Sequence, residues 1–324
     1  QILIFNSDFI QTSGAVCILK MKNTTGVSNI SCDYEILNYL FSTVGKEENI
    51  ELNLTNDDFV EIKANDILLR IPNNYNFYTQ TTNINPLPGK WKEINKEILE
   101  KIKNIEITKK ISAKWDLRSM YTVFGNGIYT FDINSVFKVK GNIFSDTLIL
   151  KNEVIDEIVN NNFVFYQIIS SENEGDYLCL STEDEQLYLI TKIYKDEQIE
   201  KIYPLAVNLF ENMYKYEGVC TFDTNNIQKI IELRKITHLL EIKENECELI
   251  FSPEKLIIKD EKGTFEKKFN IKNNKTFKIK LELKVFEKFK YEQSVILKVQ
   301  NKDNGGLLLL ESENIDAIIT YQNI

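Results

Sequence analysis

Three times along the chain, a strand pair with a polar turn leads into a short amphipathic helix and then into two or three long alternating strands. The first copy takes its strand pair from 5–20, its helix from 33–40 and its later strands from 50–54, 59–64 and 67–71. The second runs through strands at 120–124 and 126–134, a helix at 152–159 and strands at 163–169, 177–181 and 187–193. The third has strands at 247–251 and 255–259, a helix at 281–290 and strands at 295–300, 306–311 and 317–321. The helices recur about every 120 residues, the usual size of one domain. The expected fold class is therefore α+β, with three similar domains bounded at 1–86, 87–215 and 216–324. Only 12 Gly and 5 Pro occur in 324 residues, which argues against a turn-dense sandwich or propeller and against long flexible linkers.

Copies two and three each carry a further helix upstream. In 91–105, Trp91, Ile94, Ile98, Ile102 and Ile105 fall in one arc at 3.6-residue spacing, with Lys92, Lys96 and Lys103 on the other side. In 225–236, Ile227, Ile230 and Ile231 form the buried stripe, and Lys229 lies on the same helix. The first copy has no such helix, and the chain opens at Gln1 directly on the apolar run Ile2-Leu3-Ile4-Phe5. Its first strand and helix are read as lost or left out.

Enzymatic signatures are missing. The one histidine, His238, has no second ligand at metal-site spacing, and no GxSxG elbow, phosphate loop or GxGxxG occurs. Five scattered cysteines, never in a CxxC pair, suggest neither a disulfide framework nor a zinc site and fit a reducing, cytoplasmic setting. Apolar runs such as 307–310 are strand length, so no membrane partner is expected. No enzyme activity, metal or cofactor is called for.

Charge is more informative by position than in sum. The formal net charge is −9, which argues against a general nucleic-acid coat. Yet nine basic residues face five acidic ones over 90–118, and nine face two over 267–290, while 172–185 is acidic. Lys284 and Lys288 stand one turn apart on the expected helix opposite Leu281, Val285 and Phe289, with Lys278 and Lys280 on the strand before it. Basic helix faces lined up around one axis would suit duplex phosphates without base readout.

With these residues in view, the chain resembles the bacterial-type DNA polymerase sliding clamp, the beta processivity subunit. The resemblance lies in element order and spacing over essentially all 324 residues, clearest over 126–140 with 150–159, over 222–251, and from 295 to the end. It implies three clamp domains with antiparallel sheets outside and helices lining a ring. The ring would be a head-to-tail homodimer around double-stranded DNA, bound without sequence preference. It also implies a pocket that takes a short linear motif from the replicative polymerase and the clamp loader. One wall, a Thr-Asp-Gly-His-Arg-Leu run in the family, is Phe131-Asp132-Ile133-Asn134-Ser135-Val136 here. The second, a Phe-Pro-Asp-Tyr turn, is Tyr203-Pro204-Leu205-Ala206 with Leu209 beyond it. The third is the C-terminal strand and tail, Ile318-Ile319-Thr320-Tyr321-Gln322-Asn323-Ile324. On this reading Phe131, Ile133, Asn134, Val136, Pro204, Leu209, Ile318, Ile319, Tyr321 and Ile324 line the pocket. Lys92, Lys96, Lys103, Lys229, Lys278, Lys280, Lys284 and Lys288 face DNA. The departures from cellular motifs, with heavy use of Asn, Ile and Lys, suggest an AT-rich phage or mobile element. The rival reading is a β-rich interaction or surface protein with no DNA role, in which the lysine faces are merely solvated.

Overall fold

The computed structural model describes residues 2–13, 17–43, 49–64, 66–76, 84–108, 117–171, 175–239, 248–251, 255–260, 263–268, 272–273, 277–280, 283–302 and 305–321. The chain runs β1 (Ile2–Phe5), β2 (Phe9–Ser13), β3 (Cys17–Lys22), β4 (Ile30–Asp33), α1 (Tyr34–Thr43), β5 (Glu51–Leu54), β6 (Phe59–Ala64) and β7 (Ile67–Pro72). Next come β8 (Lys92–Glu93), α2 (Lys96–Ile105), β9 (Tyr121–Phe124), β10 (Ile128–Asp132), β11 (Ser135–Val139), β12 (Leu148–Lys151), α3 (Asn152–Asn160), β13 (Phe163–Ser171), β14 (Gly175–Thr182) and β15 (Leu187–Lys192). The remainder is α4 (Glu197–Glu211), β16 (Glu217–Asp223), α5 (Thr224–Leu239), β17 (Glu248–Phe251), β18 (Lys255–Asp260), β19 (Gly263–Lys268), β20 (Lys272–Asn273) and β21 (Phe277–Lys280). A 3-10 helix (Leu283–Phe289) then precedes β22 (Ser294–Lys302), β23 (Gly305–Glu311) and β24 (Ile315–Tyr321).

The elements group into two units, 1–94 with 160–194, and 95–159 with 195–324. In the first, an antiparallel sheet runs β4-β1-β2-β3-β15-β14-β13-β8 beside a small sheet β5-β6-β7. In the second, a nine-stranded sheet runs β12-β9-β10-β11-β24-β23-β22-β16-β20, and a four-stranded one runs β19-β18-β17-β21. The order fourth-first-second-third recurs in β4-β1-β2-β3, β12-β9-β10-β11 and β21-β17-β18-β19, each followed in sequence by a helix and three strands. Hydrogen bonding crosses between copies at two seams, β3 to β15 and β11 to β24.

The helices α1, α2 and α5 form where the sequence provides a cap and an apolar stripe. Asp33 Oδ1 accepts from Glu35 N at 2.7 Å, opening α1, whose Leu37 and Leu40 pack with Val60, Ile62 and Ala64 of β6. Those three alternate with Glu61 and Lys63 along the strand, as a half-buried sheet requires. Asn95 Oδ1 accepts from Ile98 N and starts α2 at Lys96, and Ile98, Leu99, Ile102 and Ile105 are its buried face. The helix expected over 91–105 therefore begins five residues later than its apolar arc, because Lys92 is already paired in β8 opposite Tyr166. At α5, Asp223 Oδ1 accepts from Asn226 N at 2.8 Å, and Ile227, Ile230 and Leu233 are buried.

Across the outer face of the first large sheet lies segment 84–91. Lys20 of β3 is 1% exposed, and its ammonium donates to Ile84 O at 2.7 Å and Asn85 Oδ1 at 2.8 Å. Burial lowers its pKa from 10.5 to about 8, against the opposing pull of Cys179. The neutral amine still has hydrogens for both acceptors. Between about pH 8 and 10.5 the unfolded chain then binds more protons at this site, so Lys20 raises folding stability with pH across that window. Its neighbours Cys179 and Tyr188 are both pushed up to about 12, chiefly by burial, and stay neutral there. The expected result is that urea titrations of wild type and Lys20→Met differ in slope against pH between 8 and 10.5; parallel profiles would contradict it.

Candidate functional site

The candidate cationic residues stand on different elements and differ in exposure. Lys96 and Lys103 are exposed, seven residues apart and so on one face of α2, but Glu97 and Glu100 are exposed there too, and Glu97 pairs with Lys101 at 3.1 Å. Lys92 stands on β8 rather than on the helix, 5.7 Å from the Tyr166 ring centre. Lys229 is half-buried on α5 and Lys278 is exposed on β21. The side chain of Lys280 lies outside the described residues.

Lys288 is a correction. It is 4% exposed, and its ammonium donates to the carbonyl of Glu106, the left-handed residue that caps the C-terminus of α2. The reason is helical pitch. At 3.6 residues per turn Lys284 and Lys288 share a side, but 283–289 is a 3-10 helix with three residues per turn. Leu283, Phe286 and Phe289 form one buried line, Val285 and Lys288 a second, and Lys284 with Glu287 the half-exposed third. Lysine repetition from helix to helix also fails. The exposed residues of α3 are Glu153, Asp156, Glu157 and Asn160, and α1 has no basic residue.

The sequence-assigned groove residues are brought together in part. Phe131 of β10 faces Val136 of β11, and Val136 faces Ile318 of β24, so these three form one row across the seam. Thr320 N donates to Asn134 O at 2.9 Å, fixing the C-terminal strand beside the β10–β11 turn. Val136 and Ile133 are half-buried and Asn134 is exposed, whereas Phe131 and Ile318 are buried. Ile319 is a second correction: it pairs with Ser135 and Leu308, and alternation along β24 sends it to the opposite face from Ile318. Ile324 and the side chain of Tyr321 lie outside the described residues.

Pro204 is a third. It lies inside α4, a helix capped by Asp196, whose Oδ1 accepts from Gln198 N and Ile199 N at 2.9 and 3.0 Å. The helix persists past proline because its aromatic side chains dock on β10: the Tyr203 and Phe210 rings lie 5.2 and 5.9 Å from Tyr129. Tyr203 was read only as part of a turn, and Phe210 and Lys138, whose ammonium sits 5.6 and 5.7 Å from the Tyr129 and Phe210 rings, were not singled out from the sequence. The i, i+7, i+11 spacing of Ile199, Ala206 and Phe210 was the available signal for the helix. Pro204 and Leu205 are exposed on α4, Leu205 by 63%, and Leu209 is half-buried.

Reactive groups are sparse. Cys32, Cys179 and Cys220 are buried, and burial pushes their thiols up to about 11, 12 and 12. Among the described residues no three His, Cys, Asp or Glu side chains cluster to hold a metal, and no helix is long and apolar enough to cross a membrane.

This topology is the fold of the bacterial DNA polymerase sliding clamps. Solved structures with it include a Eubacterium rectale chain provisionally described as a DNA polymerase III beta subunit, at TM-score 0.73 and 12% identity over 100% of this chain and 91% of that one. The beta subunit from the DNA polymerase of Streptococcus pyogenes matches at TM-score 0.71 and 10% identity, again over 100% and 91%. The Helicobacter pylori beta clamp bound to a DNA ligase peptide matches at 0.68 and 16%, over 99% and 90%. At such identities the likeness is one of fold. No family model and no curated protein matches the sequence. These three structures are bacterial, and they lend no support to a phage origin.

Proposed function

We propose that this chain is a DNA sliding clamp, a processivity factor that performs no chemistry. Its three repeats, 1–86, 87–215 and 216–324, join head to tail with those of a second copy to enclose duplex DNA. The observation that carries this reading is a pair of sheet edges that have no strand partner among the described residues. The third strand of one repeat bonds the last strand of the next at both seams, β3 to β15 and β11 to β24. By that rule the third strand of the third repeat, β19, requires the last strand of a first repeat, β7. Each of these is an edge strand here. An exposed edge bearing apolar side chains is a template for pairing, and β7 exposes Ile67 by 38% and Leu68 by 67%.

Two complementary edges on each copy give identical head-to-tail interfaces, which close into a two-chain ring when the rotation between copies is a half turn and otherwise extend into a filament. Topological linkage holds such a ring on DNA at low affinity, so a modest set of exposed lysines, Lys96 and Lys103 first, suits sliding better than a dense basic surface. The row Phe131, Val136 and Ile318, with exposed Leu205 and Pro204 on α4, is the proposed docking groove for a linear motif of a polymerase or clamp loader. The test is mass in solution together with negative-stain imaging, followed by DNA synthesis on a primed circular template. A two-chain ring that lengthens the products of a clamp-dependent polymerase is expected. A compact single chain that leaves product length unchanged would favour the rival interaction protein.

A further inference from the structure

The two seams within the chain obey one register. In the hairpins β2–β3, β10–β11 and β18–β19, the facing residues that lie five apart in sequence are Ser13 with Ile18, Phe131 with Val136, and Lys259 with Thr264. Three residues beyond Ile18 and Val136 stand Met21 and Val139. These face Leu187 and Ile315, the first residues of β15 and β24. Three residues beyond Thr264 stands Lys267, and the first residue of β7 is Ile67. The same register therefore sets Ile67 of one copy against Lys267 of the second. Continued antiparallel, it sets Leu68 against Glu266, Leu69 against Phe265 and Arg70 against Thr264, with Asp66 against Lys268 one step outside β7.

The pleat agrees with this alignment. The first and third residues of the last strand turn to the core at the second seam, where Ile315 and Ala317 are buried, and in β7 Leu69 and Ile71 pack on the cluster of Leu37 and Leu40. A slip of one residue would pair core-facing positions with outward ones. A slip of two in one direction sets Glu266 against Asp66, two like charges. A slip of two in the other sets Lys267 against Leu69, a half-buried core position. In the register of the seams the charges complement each other instead: Asp66 lies opposite Lys268, and Arg70 lies diagonal to Glu266, within reach of two long side chains. Arg70 is already fixed at the edge, bound to Asp57 and 4.7 Å from the centre of the Phe59 ring, with donors left for a second carboxylate.

We propose that two copies recognise each other in this one register, selected by charge: Asp66 and Arg70 at the β7 edge take Lys268 and Glu266 at the β19 edge of the second copy. The apolar residues of β7 supply attraction that any similar edge could share, and the two charges exclude the slipped pairings. The inference rests on the two-chain ring, and its test separates the register from the ring.

Pairs of cysteines read the register by disulfide formation, which requires Cα atoms within about 7 Å. Under mild oxidation, and against a wild-type control, Leu68→Cys with Glu266→Cys is expected to cross-link two chains at least about tenfold faster than Leu68→Cys with Thr264→Cys or with Lys268→Cys. Charge exchange reads the selection. Asp66→Lys is expected to weaken two-chain association about fivefold, and Lys268→Asp added to it to restore association to within about twofold of wild type. Faster cross-linking at 264 or 268, or no restoration by the second reversal, overturns the proposal and leaves the ring standing. A two-chain assembly in which none of the three pairs cross-links removes the β7–β19 contact itself, and single chains at every concentration remove the ring and the register together.

Discussion

Leu68→Asp is expected to turn the two-chain assembly into single chains at micromolar concentration without unfolding them. Leu68 is 67% exposed on the outer strand of its sheet, where it adds little to the stability of one chain. In the proposed ring it is covered by β19 of the second copy. Burying a leucine is worth roughly 1.5–3 kcal/mol, and a carboxylate in its place must also be desolvated. Each interface then weakens by at least about 2 kcal/mol, or some 30-fold. Both interfaces of a closed ring carry the change, so the effect on assembly is compounded. Analytical ultracentrifugation over a concentration series reads it directly, and a urea midpoint within error of wild type confirms that the fold is kept. A variant that stays two-chain would remove β7 from the interface. One that is single-chain beside an already single-chain wild type would remove the ring.

The same edge shows why the fold was legible and the surfaces less so. Alternation in 59–64 and 67–71 gave β6 and β7 within a residue, because a strand with one buried face writes its period into the sequence. The helices at 33–40 and 152–159 were equally plain, the first beginning at the capping residue Asp33. Seam pairing was not readable, since strands so distant in sequence as β11 and β24 leave no local mark on one another. Pro204 misled because a proline reads as a turn unless tertiary packing holds the helix together, and Tyr203 and Phe210 on Tyr129 supply that packing. In the groove, the apolar pair Ile318-Ile319 was visible, but only pleat direction tells which member lies in the row with Val136.

The lysines fail for a different reason, and they yield the second large effect. Lys288→Glu is expected to destabilise the second unit by about 3–5 kcal/mol, the range for leaving a buried charge without its partner. In wild type the Lys288 ammonium caps the C-terminal carbonyl end of α2, where a positive charge is favoured, and the neighbouring Lys290 lies 3.4 Å from the Glu106 carboxylate. A glutamate there would be buried against that carbonyl and near that carboxylate. Lys288→Met keeps the stem and removes the charge, and should cost less. Lys96→Glu with Lys103→Glu is the contrasting pair: both lysines are exposed, so the urea midpoint should shift by only about 0.5 kcal/mol or less in free energy. If they face DNA, the effect falls instead on retention on a circular duplex. The slope of log retention against log salt should fall by about 0.9 for each phosphate that the variant leaves unneutralised. A stable Lys288→Glu chain would return that lysine to the surface, and an unchanged salt slope in the α2 double variant would take α2 away from the DNA.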